Sequence, residues 1–160
     1  MFNVNIICVG KIKETFYREA IEEYSKRLNS YCSLNIIELK DEKIPNNPSE
    51  KDNLIIKDKE GSNILSHIKK DTYVICLDLK GKQFTSEEFS QKINNISTNI
   101  SSSITFIIGG SLGISQSVLK KANESISFSK MTFPHQLMRV LFVEQLFRAF
   151  KIINNETYHR

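Results

Sequence analysis

Short apolar runs alternate with amphipathic segments along the whole chain, and few folds accept that pattern. The runs are residues 4–9, 34–39, 73–79, 104–108 and 125–128, each short enough to be a buried strand. Between the first two, Phe16, Tyr17, Ala20, Ile21, Tyr24 and Leu28 recur at helical spacing over 14–29, with Glu, Lys and Arg on the other face. Ser49 with Asp52 opens a helix to about residue 68, whose apolar face is Leu54, Ile55, Ile64, Leu65 and Ile68 and whose middle is weakened by Gly61. Thr85 with Glu88 opens another, to about residue 100, where a Ser-rich stretch over 97–103 reads as a loop. Short and long helices follow over 115–122 and from Pro134 to about 153. Strand–helix alternation of this kind predicts an α/β domain with a mostly parallel sheet flanked by helices. No internal repeat or linker divides it, so residues 1–160 are expected to form one domain.

Composition narrows the class. With 40% hydrophobic and 25% charged residues the chain is expected to be globular, and no stretch approaches the ~20 apolar residues of a membrane helix. The N-terminus reads as a first strand, not a signal peptide. Cys8, Cys32 and Cys76 are odd in number and show no CxxC spacing. They are expected to be small buried hydrophobes in a reducing, cytoplasmic compartment. His67, His135 and His159 form no HxxxH or HxH pair, so no metal is expected. Lys57, Lys59, Lys69 and Lys70 read as a solvated helix face. The net charge of +4 permits an anionic partner such as RNA without demanding one.

In open α/β sheets ligands bind beyond the carboxyl ends of the strands. Three such ends stand out here: Leu77-Asp78-Leu79-Lys80-Gly81, Gly109-Gly110-Ser111-Leu112-Gly113 and Phe128-Ser129-Lys130-Met131-Thr132-Phe133-Pro134. The glycines fit neither a GxGxxG fingerprint nor a P-loop, so a tight turn and a ligand site stay equally open. In the third end Thr132 is a candidate helix cap, while exposed Phe and Met beside backbone donors suit a flat heteroaromatic ligand such as adenine. The last helix is apolar nearly all round, which predicts cover by the sheet and by a second subunit, most simply through two-fold symmetry. Glu144 and Arg148, spaced i,i+4, read as a structural pair, and Arg139 and Gln145 as buried pairs or interface contacts. The tail ends Tyr158-His159-Arg160, a phenol, an imidazole that can move a proton near neutrality and a guanidinium that can clamp phosphate. A frayed tail and a functional one stay equally open on residue types alone.

The same segments carry a resemblance. The runs Phe106-Ile107-Ile108-Gly109-Gly110-Ser111-Leu112-Gly113, Ser127 through Val140, Glu144-Gln145-Leu146-Phe147-Arg148-Ala149 and Tyr158-His159-Arg160, with Val9-Gly10-Lys11 near the start, closely resemble the RlmH (YbeA-like) family. These are SPOUT-class, S-adenosylmethionine-dependent methyltransferases of large-subunit ribosomal RNA. The resemblance spans the chain. It implies a SPOUT-type α/β knot, with a C-terminal trefoil that no periodicity reveals. It also implies a homodimer, and methylation of N3 of a pseudouridine in 23S rRNA of the assembled ribosome. By position, the implied cofactor contacts are Leu77, Gly109, Phe128, Ser129, Lys130, Met131, Thr132 and Phe133, with Lys130 and Met131 contributing backbone more than side chain. Tyr158, His159 and Arg160 are the expected catalytic group, reaching from one subunit toward the other's cofactor. His159 is the first choice as proton acceptor, and Arg160 would hold a phosphate or polarise the base. His135 is expected to make a structural hydrogen bond, with a substrate role as the alternative. Lys11, Lys13, Arg18, Lys80 and Lys82 are expected to add phosphate contacts. Three alternatives stay open: a SPOUT methyltransferase with another RNA target such as tRNA, a non-catalytic ribosome-associated RNA-binding factor, and an ordinary nucleotide-binding α/β protein.

Overall fold

A computed structural model describes residues 1–159. The five apolar runs form strands β1 (Asn3–Val9), β2 (Ser33–Leu39), β3 (Tyr73–Gln83), β4 (Ser103–Ile108) and β5 (Glu124–Ser127). They make one sheet in the order β2-β1-β4-β3-β5, with every neighbouring pair parallel. The helices are α1 (Thr15–Leu28), α2 (Glu50–His67), α3 (Ser86–Asn95), α4 (Gln116–Lys121) and α5 (His135–Ile153).

Alternation along the strands sorts them into two cores. Val4, Ile6 and Cys8 of β1 face the same side as Ile104, Phe106 and Ile108 of β4, and there meet Leu28 of α1, Phe89 and Ile93 of α3, and Phe142, Val143 and Leu146 of α5. Ile7 and Val9 face the other side with Val74, Cys76 and Ile107, under Ile64 of α2 and Val118 of α4. A sheet covered on both faces explains why its strands read as continuous apolar runs. Phe106 and Phe142 lie at its centre, their ring centroids 4.6 Å apart.

Several local expectations need correction. Leu54 and Ile55 are exposed, and Ile56 is the residue of that stretch that faces the core. Gly61 sits where α2 crosses the start of α4: a Cβ there would lie 2.1 Å from Ser115 Oγ. The ~1 kcal/mol that glycine costs a helix is offset by that close approach. The strand β3 runs on to Gln83, with a shift of register against β5 between Leu77 and Lys82. Residues Ile96–Ile100 carry α3 on directly as a π-helical turn, so the helix reaches residue 100 as expected, and the Ser-rich stretch starts inside it and not as a loop. The boxes at Ser49/Asp52 and Thr85/Glu88 cap α2 and α3 as the spacing predicts.

The last helix finishes the first third of the chain. Arg139, 3% exposed, donates from Nη2 to the carbonyls of Val9 (2.8 Å) and Gly10 (2.6 Å) and from Nη1 to Glu38 Oε2 (2.9 Å). Gln136 Oε1 accepts from the amide of Lys13 at 2.9 Å, just before α1, whose N-cap Glu14 makes no side-chain cap of its own. Arg139 is thus a buried pair with Glu38, one of the two roles its sequence position left open, with only its Nε left unpartnered.

Candidate functional site

Placing β4 between β1 and β3, and β5 beyond β3, brings three strand ends together. They enclose a cavity of about 570 Å³. Leu77, Asp78, Leu79 and Lys80 line it from β3, Ile108 through Ile114 from the turn after β4, and Ile126 through Ser129 from the end of β5. Met131, Thr132, Phe133, Pro134, His135 and Met138 close it from the loop before α5 and that helix's first turn.

Backbone shapes much of this cavity. Gly109 and Gly113 are packed so closely that a Cβ at 109 would lie 2.8 Å from Ile114 Cγ1 and 2.9 Å from the Gly113 carbonyl. Gly113 itself has φ +87° and sits in open space. Glycine is required at both places, at one by proximity and at the other by conformation. Thr132 does not cap α5: the N-cap is Pro134, and no side chain bonds the first-turn amides. An uncapped helix start at the edge of a cavity favours an anionic group such as a carboxylate.

Of the expected cofactor contacts, Leu77, Gly109, Phe128, Ser129, Met131, Thr132 and Phe133 all line this one cavity. Lys130 is exposed and is not among the lining residues. Sequence reasoning did not assign Met138 and His135 to the cavity. The only signal for them is that α5 begins at the third strand end. His135 lacks the structural hydrogen bond expected of it: its Nδ1 is buried without a partner. Burial, with the Arg139 charge nearby, lowers its pKa.

The tail lies elsewhere, against the far half of α5. Tyr158 packs its ring on Phe147, centroids 4.9 Å apart, and donates its hydroxyl to Glu144 Oε1 at 3.1 Å. Burial and that carboxylate push the phenol up to about 12, so Tyr158 stays a neutral donor. Glu144 Oε1 also accepts from Arg148 Nη2 at 2.5 Å, the i,i+4 pair expected from the spacing. His159 sits between Arg148 Nη1, 3.1 Å from its Nδ1, and Glu87 Oε1 of α3, 2.6 Å from its Nε2. Glu156 holds the approach to the tail, taking Lys151 Nζ at 2.6 Å and the Tyr31 hydroxyl at 2.7 Å. Arg160 lies outside the described residues.

A second cavity, of about 260 Å³, lies between the two regions. It shares Ile126, Ser127, Phe128 and Phe133 with the first and reaches Ser86 and Gln145, which are hydrogen-bonded at 2.7 Å. Those two residues are chain neighbours of Glu87 and Glu144.

All three thiols are buried, and burial raises them to about 11 for Cys8 and about 12 for Cys32 and Cys76, so none is a nucleophile near neutrality. Among the described residues no cluster of three or more His, Cys, Asp or Glu is placed to hold a metal ion, and no helix is long and apolar enough to cross a membrane. Lys11, Lys13, Arg18, Lys80 and Lys82 are all exposed, and Lys80 stands at the first cavity.

Comparison with known proteins bears on what these two regions do. A family model described as predicted SPOUT methyltransferase matches residues 2–159. The chain is similar to proteins named "Ribosomal RNA large subunit methyltransferase H" from several clostridia. It is 60% identical to that of Clostridium botulinum (strain Eklund 17B / Type B), 61% to that of Clostridium botulinum (strain Hall / ATCC 3502 / NCTC 13319 / Type A) and 59% to that of Clostridium novyi (strain NT), each over 158 residues covering 99% of both chains. With its parallel sheet and converging strand ends, the chain belongs to the RlmH family of SPOUT methyltransferases.

Proposed function

We propose that this chain is a single-domain methyltransferase of large-subunit ribosomal RNA that takes its methyl group from S-adenosylmethionine. The observation that carries the reading is the convergence of three strand-end loops on one cavity, in a chain similar over its whole length to enzymes of that name. The cavity fits the donor. Its volume is within the range for small-molecule sites, Leu77, Ile108, Phe128 and Phe133 offer apolar walls for a ring, and the bare backbone of the glycine turn admits close approach. Leu77, Gly109, Phe128, Ser129, Met131, Thr132 and Phe133 hold the donor, with Lys130 contributing through backbone alone. Bound there, S-adenosylmethionine supplies a methyl group already activated on a sulfonium.

The finer reading is methylation of N3 of a pseudouridine in 23S rRNA, on the assembled ribosome. The N3 proton must leave, and His159 is the acceptor, with Arg160 contacting phosphate or base. The chain works as a homodimer, in which the partly exposed stripe of Leu137, Val140 and Leu141 on α5 meets its two-fold copy and each tail serves the other subunit's cavity. The C-terminal trefoil knot of the family is part of this reading. So small a domain offers little surface for a free stem-loop, which favours a large particle contacted through Lys11, Lys13, Arg18, Lys80 and Lys82.

Three measurements test the reading. Calorimetric titration with S-adenosylmethionine should give one saturable site, and no binding would leave only the non-catalytic alternative. Mass mapping of ribosomal RNA from cells lacking the protein should show one missing methyl group on a 23S pseudouridine. A loss confined to tRNA would move the substrate. Sedimentation should return a dimer, and a monomer would remove the shared site.

A further inference from the structure

Among the described residues, the imidazole of His159 has one neighbour that can only donate and one that can only accept. A guanidinium has no acceptor, so where Arg148 Nη1 approaches Nδ1 at 3.1 Å, Nδ1 must carry the lone pair. The ring proton therefore sits on Nε2, which donates to Glu87 Oε1 at 2.6 Å. The carboxylate shows the counterpart of this bond: its pKa is lowered, first by the hydrogen bond from His159. Arg148 of α5 and Glu87 in the first turn of α3 thus define one tautomer between them.

We infer that Glu87 is a positioning residue for the methyl-transfer reaction, which fixes His159 in the Nε2–H tautomer so that Nδ1 is the atom that takes the acceptor base's proton. The inference rests on the reading of His159 as that acceptor. The charge balance favours it. When the N3–H bond breaks and the proton moves to Nδ1, the imidazole becomes a cation, and it does so with a carboxylate already hydrogen-bonded on its opposite nitrogen. A carboxylate plays the same part behind the histidine of a serine-protease triad, where it is buried; Glu87 is exposed, so solvent screens its effect.

In the structure Arg148 Nη1 covers Nδ1 at 3.1 Å while Nη2 is held by Glu144 Oε1 at 2.5 Å, so the inference requires Nη1 to turn away from Nδ1 when the acceptor base arrives. Among the described residues, the groups around the imidazole are Glu87 on α3, Arg148 and Glu144 on α5, Tyr158 in the tail and, through Arg148 and Tyr158, Tyr24 on α1.

The test pairs Glu87→Ala with Glu87→Gln in the full-length protein. Long-range nitrogen–proton spectra, with the His159 signals identified by their loss in His159→Gln, should show Nε2 protonated in the parent chain. Glu87→Ala should give a mixture of the two neutral tautomers, and Glu87→Gln, whose amide oxygen still accepts, should keep the parent one. Turnover on ribosomes should fall about tenfold in Glu87→Ala and less in Glu87→Gln, with KM for ribosomes and affinity for S-adenosylmethionine unchanged. Glu87 is exposed at a helix start, so both variants are expected to fold, which circular dichroism checks. An unchanged tautomer in Glu87→Ala overturns the inference directly. A changed tautomer with unchanged turnover overturns the catalytic use of the contact, and with it His159 as acceptor. A rise in KM alone would make Glu87 part of RNA docking, which also overturns it.

Discussion

The cavity at the start of α5 and the tail at its end are built in opposite ways. At the cavity, glycine contacts of 2.8–2.9 Å and an uncapped helix start shape the space, and the side chains are largely apolar wall. At the tail almost every contact is one specific polar side chain against another: Tyr158 to Glu144, Arg148 to Glu144 and His159, His159 to Glu87. A site made of backbone tolerates exchange of most side chains and fails where a Cβ is added. A site made of side chains fails one residue at a time and depends on charge. Under the proposed function, this contrast suits a donor that is the same for every reaction cycle and an acceptor met by a group able to change its protonation.

Four experiments break or sharpen the contrast. The largest effect is expected at the tail: His159→Ala should lower turnover by ~100-fold or more while leaving S-adenosylmethionine affinity intact, and unchanged methylation rates would rule out the base role. Next is Gly109→Ala, whose Cβ would press on Ile114 and on the Gly113 backbone. It should weaken S-adenosylmethionine binding by ~100-fold, and calorimetry returning near-parent affinity would show that the turn is not a wall of the donor site. Acidification should then separate the regions. Hydrogen bonds from Lys151 and His159 hold the Glu156 and Glu87 carboxyls below their ordinary value of 4.5. Their contribution is complete above that value and is lost as the pH falls through the lowered folded pKa values. Hydrogen exchange should therefore loosen the tail at acid pH before the cavity loops, and simultaneous loosening would contradict separate construction. The smallest effect is expected for Lys130→Ala. With its side chain outside the cavity, donor affinity should change less than about twofold.

The sequence reading succeeded where the physics is local. Runs such as Val4–Val9 announce a doubly covered strand, and the boxes at Ser49 and Thr85 announce helix starts, because partner and signal lie within a few residues. It failed where partners are distant. Period cannot tell that Leu54 and Ile55 turn outward and Ile56 inward, since a continuous apolar triplet marks no single face. Nothing near Gly61 says that Ser115 will lie against it. The candidate site divides the same way. Its three loops were recognisable as strand ends, but their convergence follows from the sheet order, in which β4 inserts between β1 and β3. The tail's residue types were visible, yet Glu87, which meets Nε2 of His159, is 72 positions away.

Gln136 and Arg139 have a consequence for how the chain is made. The carbonyls of Val9 and Gly10 and the amide that precedes α1 find their partners 123 to 130 residues downstream. Synthesis runs from the N-terminus, so the first third leaves the ribosome with these groups answered only by water. It stays in that state until nearly the whole polypeptide has been translated. The first strand and helix are thus the earliest parts made and among the last to be completed, and a chain halted before residue 136 lacks the side chains that finish its own beginning.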